Sequence, residues 1–246
     1  MLGTGLGQCA NEIKNPISIP YQDIPHFPAS TVKFHAGQLV SGQLSGKRVC
    51  VMQGRFHYYE GLDIQEVTLP IRVMAELGIN TLVVTNAAGS IREHIKPGTI
   101  GLITDHINLM GTTPLIGPYD EFYGTRFPDM SEPYSRKLQS LAKQSADELQ
   151  TELIETIYSA ISGPSFETAA EIRMLQIFGA DTVGMSVVPE VLVARQRQIN
   201  VLAFSAITDQ SLPERMEALS HKKVAQVADD IAPRLQALIL RVLKKL

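Results

Sequence analysis

The sequence predicts an α/β fold with one domain and a mixed, largely parallel central sheet flanked by helices. Short apolar runs rich in β-branched residues alternate with stretches of helical periodicity. The chain has 246 residues and is 44% apolar, so it can bury one substantial core. Since no repeat, low-complexity tract or linker divides the sequence, we expect a single domain over residues 1–246.

The predicted strands and helices alternate along the chain. Buried strands are expected at residues 49–52, 81–85, 99–104, 153–162 and 200–208, which are short apolar runs. Helices are expected at residues 65–77, 132–149, 168–178, 188–198 and 219–246. The last helix ends with Lys244 and Lys245, whose charges suit the negative end of a helix dipole. Strand–helix alternation of this kind is typical of a parallel sheet.

Residues 111–134 form a long segment without helical or strand periodicity, rich in glycine, proline and aromatic residues. Loops of this length inside compact domains are usually functional or disordered. Five aromatic side chains argue against disorder of this segment. They are Tyr119, Phe122, Tyr123, Phe127 and Tyr134. We therefore expect a covering loop or a contact between subunits.

Charge and composition exclude several classes of partner. The formal net charge is −3 and no basic run occurs, so nucleic acid and anionic membranes are not expected to bind. The two cysteines, Cys9 and Cys50, form neither a metal-ligand pattern nor a disulfide framework. The sequence also lacks a signal peptide and an apolar run long enough to cross a membrane. These features predict a soluble cytoplasmic protein.

Polar clusters follow the predicted strands. They are QGRFHYYEG at 53–61, NAAGS at 86–90, GPSFE at 163–167, GMS at 184–186 and DQS at 209–211. Because open α/β sheets bind ligands at the carboxyl ends of their strands, we expect these clusters to form one site.

The side chains in these clusters predict an anion pocket beside a pocket for a heterocycle. Hydrogen-bond donors suited to phosphate are Thr4, Arg55, His57 and Ser186, with backbone amides of the glycine-rich residues 3–7 and of residues 87–89. Glu167 and Asp209 can accept hydrogen bonds from a heterocycle, and Phe166 can pack on its face.

Simpler interpretations of the same residues remain open. A single histidine in a loop more often has a structural role, and we assign that role to His26, His94 and His106. Arg55 and Glu60 could form only an exposed ion pair.

Other known motifs do not fit. Gln8 stands where a dinucleotide fingerprint beginning at Gly3 needs its third glycine, and no strand precedes the loop. Residues 42–48 have too short a glycine spacing for a P-loop. No metal motif is present, and neither Ser165 nor Ser186 lies in a G-x-S-x-G sequence.

Taken in order, the motifs GTGLG, HAG, QGRFHYYEG, TNAAGS, GPSFETAAEIR and VGMSVVPEVLVAR resemble those of the trimeric purine nucleoside phosphorylases. The resemblance extends from Gly3 to the final helix, and the last two motifs are the most specific. It implies a nucleoside phosphorylase fold and a role in purine salvage. The implied reaction splits a purine nucleoside with inorganic phosphate into free base and ribose 1-phosphate, without metal or organic cofactor.

The resemblance also implies roles for residues at matching positions. The phosphate-binding residues would be Thr4, His35, Arg55, His57, the Ala87 backbone and Ser186. The ribose-binding residues would be Tyr59, Met185, His221 and, from the neighbouring subunit of a homotrimer, Phe127. The base-binding residues would be Ala88, Gly89, Phe166, Glu167, Val183, Gly184 and Asp209. Catalysis would depend on His57, Glu167 and Asp209.

The sequence departs from the family at Asp209, where enzymes for 6-oxopurines carry asparagine. A neutral Asp209 could donate to N7 and accept from a 6-amino group, which favours adenosine or methylthioadenosine. Glu167 opposes this preference because adenine has no N1–H, and His221 opposes a methylthio substrate. We expect 6-oxopurine nucleosides as substrates, with tolerance for 6-aminopurines.

The sequence also departs from the family at its start. Relatives carry about one helix and one strand before the glycine-rich loop, and here only Met1 and Leu2 precede it. We expect a misplaced start codon or a truncation to explain this difference, and a natural shortening is the alternative. For the function, the alternative is an inactive homologue that binds nucleoside or only assembles.

Overall fold

The computed structural model describes residues 1–3, 7–28 and 36–246, apart from the side chains of residues 8, 9 and 221. The strands are β1 Lys14–Pro20, β2 Gln38–Leu44, β3 Lys47–Gln53, β4 Thr81–Ser90, β5 Ile100–Leu109, β6 Leu153–Ile161, β7 Thr182–Gly184 and β8 Asn200–Gln210. The helices are α1 Ile64–Glu76, α2 Arg136–Glu148, α3 Ala169–Phe178, α4 Val188–Gln196 and α5 His221–Lys245.

Five strands close into a barrel in the order β4-β7-β6-β5-β8. The pairs β4–β8, β5–β6 and β6–β7 are parallel, whereas β4–β7 and β5–β8 are antiparallel. The remaining strands β1, β2 and β3 form an antiparallel sheet. The predicted α/β class with a mixed, largely parallel central sheet is therefore confirmed. Barrel closure and the three-stranded sheet are additional features.

Residues 1–3 lie between β3 and β4. Leu2 N donates to Met52 O at 3.0 Å, and Thr85 N donates to Met1 O at 3.1 Å. Gly3 N donates to Thr85 Oγ1 at 3.1 Å, and a side chain at Gly3 would bring its Cβ 2.7 Å from Thr85 O. These bonds connect the three-stranded sheet to the barrel and place Gly3 beside the middle of β4.

Helices α1, α2, α3 and α5 begin where the sequence supplies a capping side chain, whereas Val187 before α4 supplies none. Asp63 and Glu66 form a capping box at the start of α1, and Thr168 and Glu171 form one at the start of α3. The TAAE part of the GPSFETAAEIR motif is therefore the start of α3. The capping box fixes the position at which residues 163–167 enter this helix. Helix α5 buries Ile231, Leu235, Leu238 and Val242 in the core, mainly against β8 and α2.

The predicted long loop is confirmed, since residues 111–134 contain only the short 3₁₀ turn Glu121–Tyr123. The prediction that polar clusters follow the strand ends needs one correction. Residues 86–90 and 209–210 belong to β4 and β8 themselves, because both strands extend beyond their apolar runs, and Gly184 is the last residue of β7. In the described part of the chain, no helix combines the length and apolar character that a bilayer span requires.

Candidate functional site

A cavity of about 110 Å³ lies where the ends of β4, β7 and β8 meet the connections before α1 and α3. It brings together most of the predicted site residues. They are Arg55, His57, Tyr59, Ala87, Ala88, Gly89, Phe166, Glu167, Val183, Gly184, Met185, Ser186 and Asp209. The expectation of one converging site is therefore confirmed, whereas the role of each residue is not tested by its position.

Arg55 marks one end of the cavity. Its side chain is only 1% exposed, and Nη1 donates to Thr85 O at 3.0 Å and to Ser186 Oγ at 3.1 Å. Nη2 lies 2.9 Å from Glu190 Oε1. The alternative of an exposed ion pair between Arg55 and Glu60 is wrong, because Arg55 is buried and pairs with Glu190. A buried guanidinium beside a serine hydroxyl can bind an anion.

His57 lies next to this anion site. Its Nδ1 is 3.0 Å from Glu60 Oε1, which also accepts a hydrogen bond from the His57 backbone N–H at 2.8 Å. The imidazole stacks on Tyr59 with ring centroids 4.7 Å apart. Burial lowers the pKa of His57 below its usual value, and the hydrogen bond to Glu60 only partly offsets this effect. His57 is therefore a neutral, firmly oriented imidazole at neutral pH.

Ser186 is held by a strained turn between β7 and α4. Val187 has φ 72° and ψ −57°, and Val188 N donates to Ser186 O at 2.9 Å across this residue. These values define a γ-turn of the rare type, which is costly for a β-branched residue. Ser186 N donates to the buried hydroxyl of Tyr158 at 3.2 Å. Both features fix the hydroxyl of Ser186 relative to Arg55.

Two carboxyl groups mark the other end of the cavity. Burial, assisted by the charge of Asp209, raises the pKa of Glu167 to about 7. Burial also raises the pKa of Asp209, although the Thr208 hydroxyl donates to its Oδ1 at 2.8 Å. A pair of half-buried acids with raised pKa values in a cavity is typical of a functional site.

Glycines leave room for these side chains. A Cβ at Gly89 would lie 2.7 Å from Asp209 Oδ2, and one at Gly184 would lie 2.6 Å from the Tyr158 hydroxyl oxygen. Any other residue at either position would displace a polar group of the site. This steric demand explains the glycines of the TNAAGS and VGMS motifs.

Four predicted site residues are not found among the described side chains that line this cavity. Thr4 and His35 lie outside the described residues, as does the side chain of His221, whose backbone begins α5. Phe127 is 86% exposed on the long loop and does not line the cavity of its own chain.

Gly3 lines the cavity, as expected for the glycine-rich residues 3–7, but its N–H donates to Thr85 Oγ1. The sequence predicts no role for three further residues that line the cavity, Asn86, Thr208 and Val224. Asn86 belongs to the TNAAGS motif, so its position was a usable signal. The sequence predicts Thr208 only as part of a buried strand and Val224 only as part of a helix, and nothing in their spacing distinguishes them. Among the described residues, no group of three or more histidine, cysteine, aspartate or glutamate side chains could hold a metal ion.

Comparisons with known proteins agree with this geometry. The family profile of the phosphorylase superfamily matches residues 1–244. The chain is 52% identical to purine nucleoside phosphorylase 1 of Geobacillus stearothermophilus, over 94% of this chain and 84% of that protein. Crystal structures of Schistosoma mansoni purine nucleoside phosphorylase in complex with inosine and with adenosine each superpose with a TM-score of 0.94. They cover 99% of this chain and 88% of theirs, at 41% and 42% identity respectively.

Proposed function

The chain belongs to the phosphorylase superfamily, and we infer that it catalyses the phosphorolysis of purine nucleosides such as inosine and guanosine. The products are the free base and ribose 1-phosphate, so the enzyme serves purine salvage. The observation that carries this function is the cavity with Arg55 and Ser186 at one end and Glu167 and Asp209 at the other.

The end of the cavity at Arg55 and Ser186 binds the phosphate. Arg55 and Ser186 donate to its oxygens, and Nε2 of the neutral His57, whose Nδ1–H donates to Glu60, accepts a hydrogen bond from the phosphate O–H group. Thr4, His35 and the Ala87 backbone complete the phosphate site by their resemblance to the family. As the glycosidic bond breaks, positive charge develops on the ribose, and the phosphate held against the sugar stabilises it. Since phosphate itself is the nucleophile, the protein contributes mainly positioning and electrostatics.

The acidic end holds the base. Ionised Glu167 accepts a hydrogen bond from N1–H of a 6-oxopurine, and protonated Asp209 donates to N7, which stabilises the negative charge that develops there. Phe166, Val183 and the backbone of Ala88, Gly89 and Gly184 pack around the ring. Tyr59 and Met185 contact the ribose, as does His221.

A preference for 6-aminopurines is the second candidate, and the raised pKa values of Glu167 and Asp209 favour it. A protonated Glu167 can donate to N1 of adenine, and a neutral Asp209 can donate to N7. We therefore propose 6-oxopurine nucleosides as the main substrates, with 6-aminopurine nucleosides tolerated. The assembled cavity argues against an inactive homologue.

We also propose a homotrimer that acts in the cytoplasm without a metal or organic cofactor. The exposed Phe127 would reach the ribose pocket of a neighbouring subunit, which gives the aromatic residues of the long loop a purpose. The low net charge and the cysteine pattern support the cytoplasmic assignment.

Base release tests the proposed function directly. Inosine, guanosine, adenosine and methylthioadenosine are incubated with the chain, each with and without inorganic phosphate, and free base is measured by absorbance. We expect release from inosine and guanosine, weaker release from adenosine, and none without phosphate. Release that does not need phosphate would indicate a hydrolase instead, and release from none of the four would support the inactive homologue.

The base preference should depend on pH in opposite directions for the two substrate classes. With a pKa of about 7, the ionised fraction of Glu167 rises from about a tenth at pH 6 to about nine-tenths at pH 8. The KM for inosine should therefore fall by up to about tenfold over this range, whereas the KM for adenosine should rise. Glu167→Gln is the matched control and should remove both trends. Parallel pH profiles for the two substrates would contradict this role of Glu167.

A further inference from the structure

Glu190 forms a fully buried ion pair with Arg55, although it has no place in the phosphate site described above. Both side chains are only 1% exposed, and Oε1 lies 2.9 Å from Arg55 Nη2. Glu190 belongs to the first turn of α4, directly after Ser186 and the strained Val187. A buried ion pair does not by itself stabilise a fold, because desolvation of two charges offsets their attraction. Its location at the anion site therefore calls for a functional explanation.

The planar guanidinium makes the two ends of Arg55 dependent on each other. Nη2 is fixed by Glu190, whereas Nη1 donates to Ser186 Oγ and Thr85 O. Because the guanidinium is rigid, holding Nη2 also sets the direction in which Nη1 points. A shift of the Glu190 carboxylate would turn Arg55 Nη1 away from the Ser186 hydroxyl, which binds the same anion as Arg55.

Ser186 and Glu190 are also joined through the chain that connects them. The γ-turn at Val187 leads into the first hydrogen bond of α4, from Val191 N to Val187 O at 3.0 Å. Strained backbone of this kind persists only where its surroundings hold it in place. Here, the Ser186 amide bonds to Tyr158 on one side of the turn, and Glu190 bonds to Arg55 on the other. Arg55 thus contacts both Ser186 and Glu190, and the turn at Val187 connects these two residues through the backbone.

We propose that Glu190 is a positioning residue for phosphate binding, which sets the orientation of Arg55 relative to Ser186. This proposal rests on the proposed function, in which Arg55 and Ser186 bind phosphate. The effect of Glu190 on phosphate binding depends on the length of its side chain and on its acceptor oxygen. The negative charge of Glu190 is secondary. Bound phosphate supplies a negative charge beside Arg55, so the charge of Glu190 is not needed for phosphate affinity.

Two variants separate geometry from charge. Glu190→Asp keeps the charge but shortens the reach, whereas Glu190→Gln keeps the reach and an acceptor oxygen but removes the charge. We expect Glu190→Asp to raise the KM for phosphate at least tenfold, and Glu190→Gln to leave it within threefold of the parent value. The KM for inosine at saturating phosphate should change less than twofold in both variants. A purely structural role would not produce this selective effect on phosphate.

The opposite ranking would overturn the proposal. If Glu190→Gln raises the KM for phosphate tenfold or more, the negative charge of Glu190 is required, which contradicts the proposal that its reach and acceptor oxygen are sufficient. If Glu190→Asp stays within twofold of the parent, Glu190 does not position Arg55. Unfolding of either variant, detected by circular dichroism and thermal melting, also counts against it, because a positioning role requires a folded protein that binds phosphate differently.

A direct binding measurement separates failure of the proposed function from failure of the role of Glu190. The parent chain is titrated with inorganic phosphate by calorimetry, without nucleoside, and both variants are titrated in the same way. If the parent releases no base but binds phosphate, the ranking of the two variants in this titration still decides the role of Glu190. A parent that releases base, with both variants unchanged, would retain the proposed function and overturn only the role of Glu190.

Discussion

Replacing Arg55 with methionine is expected to reduce kcat/KM for phosphate by at least about a hundredfold. The guanidinium contacts both Ser186 and Glu190, and its charge is held in a buried site where electrostatic interactions are strong. A hundredfold loss corresponds to about 2.7 kcal/mol, which is within the range of a lost charge-assisted hydrogen bond. The measurement is steady-state base release from inosine as a function of phosphate concentration.

The same substitution should also destabilise the fold, so activity and stability must be separated. Arg55→Met leaves the Glu190 carboxylate buried without its counter-ion, which costs about 3–5 kcal/mol in the free energy of unfolding. The double variant Arg55→Met, Glu190→Met replaces the pair with apolar side chains of similar size and should recover most of that loss. Urea unfolding measures the stability of both proteins.

The double variant therefore serves as the control for Arg55. It should be as well folded as the parent, yet its phosphate-dependent activity should remain as low as that of Arg55→Met. Recovery of activity together with stability would show that Arg55 acts only by supporting the fold. In that case, the anion would have to bind to other groups around the cavity.

The sequence predicted those features that depend on local patterns. The helices follow from apolar periodicity, with ends within a few residues of those observed. The cluster at residues 53–61 was correctly placed after a strand, since β3 ends at Gln53. Strand β1 was not predicted because every residue in it is exposed, so that it lacks the alternation of a half-buried strand. Barrel closure depends on pairing between distant strands, which no local pattern encodes.

The candidate site was predictable in its membership but not in its electrostatics. Motif residues such as Arg55, Glu167 and Ser186 were identified from their chemistry and position. Glu190 was not, because it lies in an apolar helix and its partner is far away in the sequence. The raised pKa values of Glu167 and Asp209 depend on burial, which appears only in the folded chain.

Replacing Asp209 with asparagine is expected to shift the preference strongly towards 6-oxopurine nucleosides. The Thr208 hydroxyl donates to Oδ1 of Asp209, so the amide oxygen should take the place of Oδ1 and the amide nitrogen that of Oδ2. The base would then meet only N–H donors, which suit the 6-oxo oxygen and oppose a 6-amino group. We expect kcat/KM to rise about tenfold for inosine and to fall about tenfold for adenosine, measured at pH 8.

Thr208 provides the control for this interpretation. Thr208→Val removes the hydroxyl at nearly constant volume, so the amide introduced by Asp209→Asn can adopt either orientation in the double variant. One orientation presents a donor to inosine, and the other presents an acceptor to the 6-amino group of adenosine. The preference gained by Asp209→Asn should therefore shrink in the double variant, mainly through recovered activity on adenosine. If Asp209→Asn alone leaves the ratio of the two activities unchanged, Asp209 does not select the base, and Glu167 must do so.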